Sequence, residues 1–439
     1  MLIQANTKYI TSSMQGSPKL TLTRGDLLEV LKTVLTHGTN EQPVLKLEVF
    51  EDNAVKVFLN PGHGFLYNQV LTLTGDNVTF ISEGTEFRVK NVSQLEITLY
   101  PNKEVLNTGI IPHEGLLLKV APLGYTLAFE DETSGIACFK NKSIKSPAIL
   151  KVIDALPPNG YNENWARYAR VVAGQQIDLE GNFINNEKTP YSVNFPDIEI
   201  TGNKVSGVGG IHGFLKWDYG LYQTTSYSWT EEFEANGSYP TDWRIIGDDK
   251  TFYLMIRAMG KSFGQYNILS FGNYNSFDDT ESGNIIISGS GRDIAANTGY
   301  NGQSGIAWRI GFTKAHEYIG NYLFKSLLGT TQNYLSCTFL GLHHSGGDDR
   351  FWPSKGGING VSPISGKFIT TPLYIRDSNG DMRGTLRGME QFYGVGDLSD
   401  DLLINEGTSV VLNTKKYNGD SSDNIGIPYL FNLLDWEEV

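Results

Sequence analysis

The chain has 439 residues, enough for two or three domains and a large buried core. Its net charge is −13 and no block of Lys or Arg interrupts the acidity, which excludes a protein that neutralises nucleic-acid phosphates with a basic stripe. With 49 glycines, 22 tyrosines, 22 phenylalanines and only 19% charged residues, the composition fits short strands and many turns better than long helices.

The opening residues, MLIQANTKYITSS, lack the basic start and apolar run of a signal peptide. No apolar stretch reaches the ~20 residues of a membrane helix. The expectation is a protein made in a reducing cytoplasm with no membrane insertion. Cys138 and Cys337 are the only two cysteines, so neither a zinc cluster nor a disulfide framework fits, and each sits in an apolar run as a small hydrophobe would.

One helix is expected, in TLTRGDLLEVLKTVLTHG, residues 21–38. Thr23 and Asp26 have capping-box spacing, Leu27, Leu28, Val30, Leu31, Val34 and Leu35 follow helical period, and Gly38 closes the segment. The tripeptide Arg24-Gly25-Asp26 reads as the helix start rather than as an adhesion motif. From Pro43 the period changes to two. LKLEVF, AVKVFLN, QVLTLTG, EFRVKN and LEITLY are short strands parted by turns, a small all-β module that ends near GLLLKVAPLGY, residues 115–125. Within it His63, between two glycines in NPGHGF, belongs to a tight turn.

Beyond the junction the strand candidates are CFKN, ILKVIDAL, ARYARVVAG, TFYLMIRAM, YNILSFGNY, NIIISGSG, IAWRIGF and YLSCTFLGL. AHEYIGNYLFKSLL, residues 315–328, reads as a short helix or a surface excursion. The glycine-rich loop at 288–305 is long for a compact domain. No fixed-period repeat and no heptad pattern is present. The expected fold class is mainly β: a β-sandwich-like main domain, a small inserted β-barrel or Ig-like module, and one short N-terminal helix. The divisions fall at 1–40 (arm and helix, packed on the main domain), 41–121 (small module) and 122–439 (large β-rich domain).

The motifs that would carry chemistry fail on spacing. MGKSFG, residues 259–264, lacks the glycine five residues before Gly260 that a phosphate loop needs, because position 255 is Met. GSG at 289–291 lacks the third glycine of a dinucleotide loop. In LHHSGGDDRFW, residues 342–352, His343 and His344 would point to opposite faces of a strand, so a metal site there needs distant ligands. Asp278-Asp279, Asp348-Asp349 and Asp400-Asp401 are paired carboxylates only in sequence, and turns or solvated faces explain them. No G-x-S-x-G elbow is present, so no catalytic, metal or cofactor residue is assigned. IRDSNGDMRGTLRGMEQFYG, residues 375–394, begins like a calcium loop at Asp377, Asn379 and Asp381. The twelfth position, where a bidentate glutamate belongs, is Gly388. A hairpin turn at Asp377–Gly380 accounts for it better.

The order of several motifs resembles a group of tailed-bacteriophage virion structural proteins of the tail or baseplate. The resemblance rests on the short helix after SSMQGSPKLTLTRG and on the Gly62-His63-Gly64-Phe65 turn followed by Glu86-Phe87-Arg88-Val89. Further along it rests on the junction Ala121-Pro122-Leu123-Gly124-Tyr125, then Phe129 with IACFKNKS, ARYARVVAG, WRIIGDDKTFYLMI and DMRGTLRGMEQFYG. Tyr125 stands where the group has tryptophan, and residues 274–305 match nothing in its pattern. The resemblance implies a virion building block without catalytic residues or cofactor. It would touch other virion proteins and form a homo-oligomer, a trimer or hexamer, by symmetric contacts. Arg383 and Arg387 are then candidates for inter-subunit ion pairs. A competing reading is a receptor-binding tail protein that stacks host surface glycans on Trp217, Tyr219, Tyr222 and Trp229 of WDYGLYQTTSYSW. A polysaccharide-degrading tailspike is the third, and the missing β-helix repeat weighs against it.

Overall fold

The computed structural model describes residues 2, 6–21, 25–75, 78–155, 168–184, 214–216, 242–257, 266–278, 285–290, 321–324, 334–340, 369–377, 379–393, 402–404, 409–414 and 427–434. Over these residues the chain is mainly β, with one short helix and sheets that curl into half-barrels.

An N-terminal strand, β1 (Lys8–Thr11), leads to helix α1 (Asp26–Lys32), which runs on into a π-helical turn at Thr33–His37. Leu27, Leu28, Val30, Leu31, Val34 and Leu35 are all buried, as helical period requires. The helix start differs from the capping-box expectation. Its N-cap is Gly25 in the left-handed region at φ 96°, with no side-chain cap of its own. Asp26 instead accepts the backbone N–H of Thr21 at 2.8 Å, and the Gly25 N–H donates to the buried Asp154 carboxylate from another sheet. A distant carboxylate therefore does the work expected of a local one. Gly38 closes the segment at φ 82°, its N–H bonded to the Thr33 carbonyl at 2.7 Å.

Eight strands then form a sheet of their own: β2 (Thr39–Pro43), β3 (Lys46–Val49), β4 (Val55–Phe58), β5 (Val70–Thr74), β6 (Phe87–Val92), β7 (Glu96–Pro101), β8 (Gly109–Ile111) and β9 (Leu117–Val120). They run in the order β2-β9-β5-β6-β7-β4-β3-β8, each pair antiparallel. Period two is obeyed: Leu47 and Val49, Val55 and Val57, Ile97 and Leu99 face inward while Lys46, Glu48, Lys56 and Glu96 face out.

A second, five-stranded meander contains β10 (Thr126–Asp131), β11 (Ile136–Lys140), β12 (Ile149–Ala155), β13 (Tyr168–Gly174) and β14 (Phe214–Lys216).

The third sheet is the largest. It holds β15 (Asp242–Gly247), β16 (Thr251–Arg257), β17 (Tyr266–Asn273), β18 (Asn275–Ser276), β19 (Ile285–Ser290), β20 (Asn321–Phe324) and β21 (Tyr334–Leu340). It continues through β22 (Ile369–Asp377), β23 (Met382–Tyr393), β24 (Leu402–Ile404), β25 (Ser409–Thr414) and β26 (Ile427–Asn432). Strand β1 joins it beside β15, so the N-terminal arm is an edge strand of the main sheet, and β24 ends the other side. In the stretch at 315–328, read as a helix or excursion, residues 321–324 are strand β20.

Alternation along β15–β19 shows how the layers stack. Trp243, Ile245, Phe252, Leu254, Leu269, Phe271, Ile285 and Ile287 belong to a core shared with the helix, the eight-stranded sheet and the five-stranded sheet. Ile246, Tyr253, Met255, Ile268 and Ile286 belong to a second core with Leu373, Ile375, Leu386, Met389, Val410 and Phe431. Strands β15–β19 are thus a central layer with apolar side chains buried on both faces, which is why they read as continuous apolar runs. The far half of the same sheet folds over the second face, and the two-residue strand β18 pairs with β23 across the fold. Among the described residues, the inward side chains of the small module belong to the first of these two cores, apart from Val70, which pairs with Ala121.

Candidate functional site

The described residues of the segment 375–394 are the end of β22, the turn and the second strand of the β22–β23 hairpin. Asp377 shapes its turn. One carboxylate oxygen accepts the N–H groups of Asn379 at 2.9 Å and Asp381 at 3.0 Å, while the Asp377 N–H donates to the Asp381 carbonyl at 2.9 Å. That oxygen holds the backbone of its own loop, as a hairpin turn requires. Gly384 sits where β23 meets β18, and a Cβ at that position would overlap the Asn275 carbonyl. The glycine is there for that close approach.

Arg387, expected at an inter-subunit contact, is buried within its own chain. Its Nη2 lies 3.0 Å from Asp248 Oδ2, and its Nη1 donates to the Thr251 hydroxyl at 3.2 Å. Side-chain exposures of 2% and 5% put the pair inside the sheet stack, so the carboxylate partner is intramolecular, a correction to the sequence reading. The reason is the curl of the main sheet, which lays β23 over the β15–β16 turn. Arg383, one turn-ward on the same strand, is half-buried and hydrogen-bonds the Tyr274 hydroxyl.

Around Asp248 and Arg387 the three layers meet in a polar junction. Asp248 Oδ1 accepts N–H groups of Lys250 and Thr251, each at 2.9 Å. The Thr251 hydroxyl donates to the Asn273 carbonyl at 2.7 Å, and the Tyr253 hydroxyl to the Arg387 carbonyl at 2.8 Å. From the five-stranded sheet Asn141 reaches in. Its amide donates to the Lys250 carbonyl at 3.2 Å and to Asn273 Oδ1 at 3.1 Å, and its Oδ1 accepts the Ala148 N–H at 2.8 Å. Asn273 in turn donates to the Ser146 carbonyl at 3.0 Å. The network joins the β11–β12 loop, the β15–β16 turn, the end of β17 and the middle of β23.

Burial pushes the Asp248 carboxyl above the ordinary carboxylate value, against the opposing pull of Arg387 and the two N–H groups. Tyr125, packed edge-on against Phe252 with ring centres 5.5 Å apart, lies beside this junction, and burial raises its phenol well above the usual value. The Tyr125 hydroxyl has no hydrogen-bond partner among the described residues. A charge pair so enclosed, with its carboxylate held by two backbone N–H groups, sets the relative position of layers.

His63 takes the turn role expected of it. Its Nδ1 accepts the Phe65 N–H at 3.1 Å, its Nε2 donates to the Ser93 carbonyl at 2.8 Å, and the ring stacks on Phe65. Cys138 and Cys337 are free and buried. The aromatics Trp217, Tyr219, Tyr222 and Trp229 lie outside the described residues, as do MGKSFG, His343, His344, Asp348, Asp349, Asp400 and Asp401. Among the described residues no three His, Cys, Asp or Glu side chains are grouped to hold a metal, and no helix is long and apolar enough to cross a membrane.

Sequence reasoning missed Asp248, Asn141 and Asn273. The one signal at the sequence level is that DD in WRIIGDDKTFYLMI interrupts two apolar strands, which marks a turn but not a partner 139 residues away. A scan against protein-family models finds no match, and no curated protein matches the chain.

Proposed function

We propose that the protein is a structural component of a tailed-phage virion, in the tail or baseplate, assembling as symmetric copies and acting through protein–protein contacts. Its place of action is then the virion. The observation that carries this reading is a rigid body with apolar contact points on one of its sheets. A buried polar junction locks the five-stranded sheet to both halves of the main sheet, while Ile110, Leu106, Leu95 and Phe50 of the eight-stranded sheet and its loops stand exposed, Ile110 at 71% and Leu106 at 60%. Exposed apolar groups on a stiff β scaffold are what an assembly contact needs. The ordered motif resemblance points the same way.

The test is cryo-electron microscopy and peptide mass spectrometry of purified particles. Symmetric density for this chain in the tail or baseplate, with Ile110 and Leu106 against a neighbour, is the expected result. Absence of the chain from particles overturns it. A glycan-array signal lost on Trp217→Ala or Trp229→Ala would move the reading to receptor binding.

A further inference from the structure

We propose that residues 6–20 form an exchangeable strap, donated in the assembled state to the β15 edge of a second copy of this chain. The inference deepens the assembly reading by naming the element that joins copies, and it rests on copies of this chain meeting.

The strap behaves as a ligand of the rest of the molecule. Strand β1 pairs with β15 through four residues, Lys8↔Gly247 to Thr11↔Arg244. Each side-chain bond described from the strap to another element goes to a remote part of the chain. Lys8 Nζ meets Glu86 at 2.7 Å, the Thr7 hydroxyl donates to the Leu434 carbonyl at 2.7 Å, and the Trp243 indole N–H donates to the Pro18 carbonyl at 3.1 Å. Ser12 and Asp242 face each other at 3.4 Å, and the Ser12 N–H bonds the Trp243 carbonyl at 2.9 Å. Ile10 and Leu20 are fully buried in the first core.

Without the strap, the β15 edge would present unpaired backbone groups beside pockets for Ile10 and Leu20, a template for strand addition. This unit is tied to the body through the short link at 21–25, which ends at Gly25 in the left-handed conformation. A strap from a second copy would satisfy the same register, the same Lys8–Glu86 pair and the same pockets. Exchange therefore substitutes identical contacts and adds whatever the copies gain by proximity. A link of five residues spans at most about 18 Å, so donor and acceptor bodies would lie close together.

The lock in the design is Lys8. It is 4% exposed, and its ammonium needs Glu86 wherever the strap is seated, so the groove takes this segment and rejects an unrelated strand.

The experiment co-expresses two differently tagged full-length chains, one carrying Ser12→Cys and the other Asp242→Cys, and treats them with a short bismaleimide. Both positions lie at the surface side of the strap, and the native thiols Cys138 and Cys337 are buried. Expected is a product of twice the chain mass that carries both tags. The double variant in one chain shows that the pair is within reach of the reagent. If Ser12→Cys does not fold, Ser13→Cys replaces it. Light scattering separates the outcomes. Copies that associate without any two-tag product overturn the exchange and leave the assembly reading standing. A chain that stays monomeric and links only within itself overturns both.

Discussion

The guanidinium of Arg387 meets the carboxylate of Asp248 at 3.0 Å, in the interior of the sheet stack and 139 residues away along the chain. The pair bridges the far half of the main sheet and the turn of its central layer. Each charge is tolerable there because the other is present.

Removing Arg387 therefore strands a buried carboxylate. Arg387→Met is expected to cost about 3–5 kcal/mol in urea unfolding. The loss should depend on pH with a definite sign. Without Arg387 the folded-state pKa of Asp248, already raised by burial, rises further above its unfolded value. The folded protein then binds a proton more tightly than the unfolded chain, so the penalty is smallest below about pH 4 and grows as pH rises through the folded pKa. A penalty equal at pH 4 and pH 8 would show that Asp248 does not sense the arginine.

Gly384→Ala should open the clasp between β18 and β23, because the new methyl group overlaps the Asn275 carbonyl. The expected cost is about 1–3 kcal/mol. Hydrogen exchange should locate it: the Phe277 N–H, bonded to the Arg383 carbonyl at 3.0 Å, loses protection first. Uniform loss of protection across β15–β17 would mean that the clasp is not a local element.

Tyr125→Phe is expected to be neutral or to stabilise by about 1 kcal/mol. It removes a buried hydroxyl that has no hydrogen-bond partner among the described residues and keeps the ring contact with Phe252. A loss of more than about 1 kcal/mol in thermal or urea unfolding would reveal a partner for that hydroxyl.

The period-two strands of the eight-stranded sheet were legible because one face is wet: Leu47 and Val49 alternate with Lys46 and Glu48 along a single strand. Strand β16 was legible as a strand and β15 was not among the strands expected; neither was legible as a central layer, since WRIIG and TFYLMI carry apolar groups on both faces and period two vanishes. The helix was legible in its buried positions and not in its start, because Asp154, which bonds the Gly25 N–H, comes from another sheet. Arg387 stood out as a residue with a charge to satisfy. That Asp248 satisfies it depends on the curl of a sheet, a property of the whole chain that no local window contains.

The two thiols offer an independent gauge of the core. Burial pushes the Cys138 thiol up to about 11, and burial together with Asp377 raises Cys337 further. Ellman's reagent at pH 8 should find almost no reactive thiol in the native protein and two in guanidinium. Raised folded-state values also mean that the thiols contribute stability below about pH 8.5, their ordinary value, which is lost as pH climbs toward 11. Rapid native labelling of Cys337 would contradict the packing of the second core, and of Cys138 the burial of β11.

The bond from the Thr7 hydroxyl to the Leu434 carbonyl has a topological consequence. The first and last described segments lie against one another, so the covalent path is close to a ring. A permuted gene that joins residue 434 to residue 6 through a few glycines, and opens the chain at the exposed Ile144 loop, should encode the same sheets in a new order. In that permutant the strap would be tethered at both of its ends, and an assembly that depends on passing it between copies would stop while the fold remained.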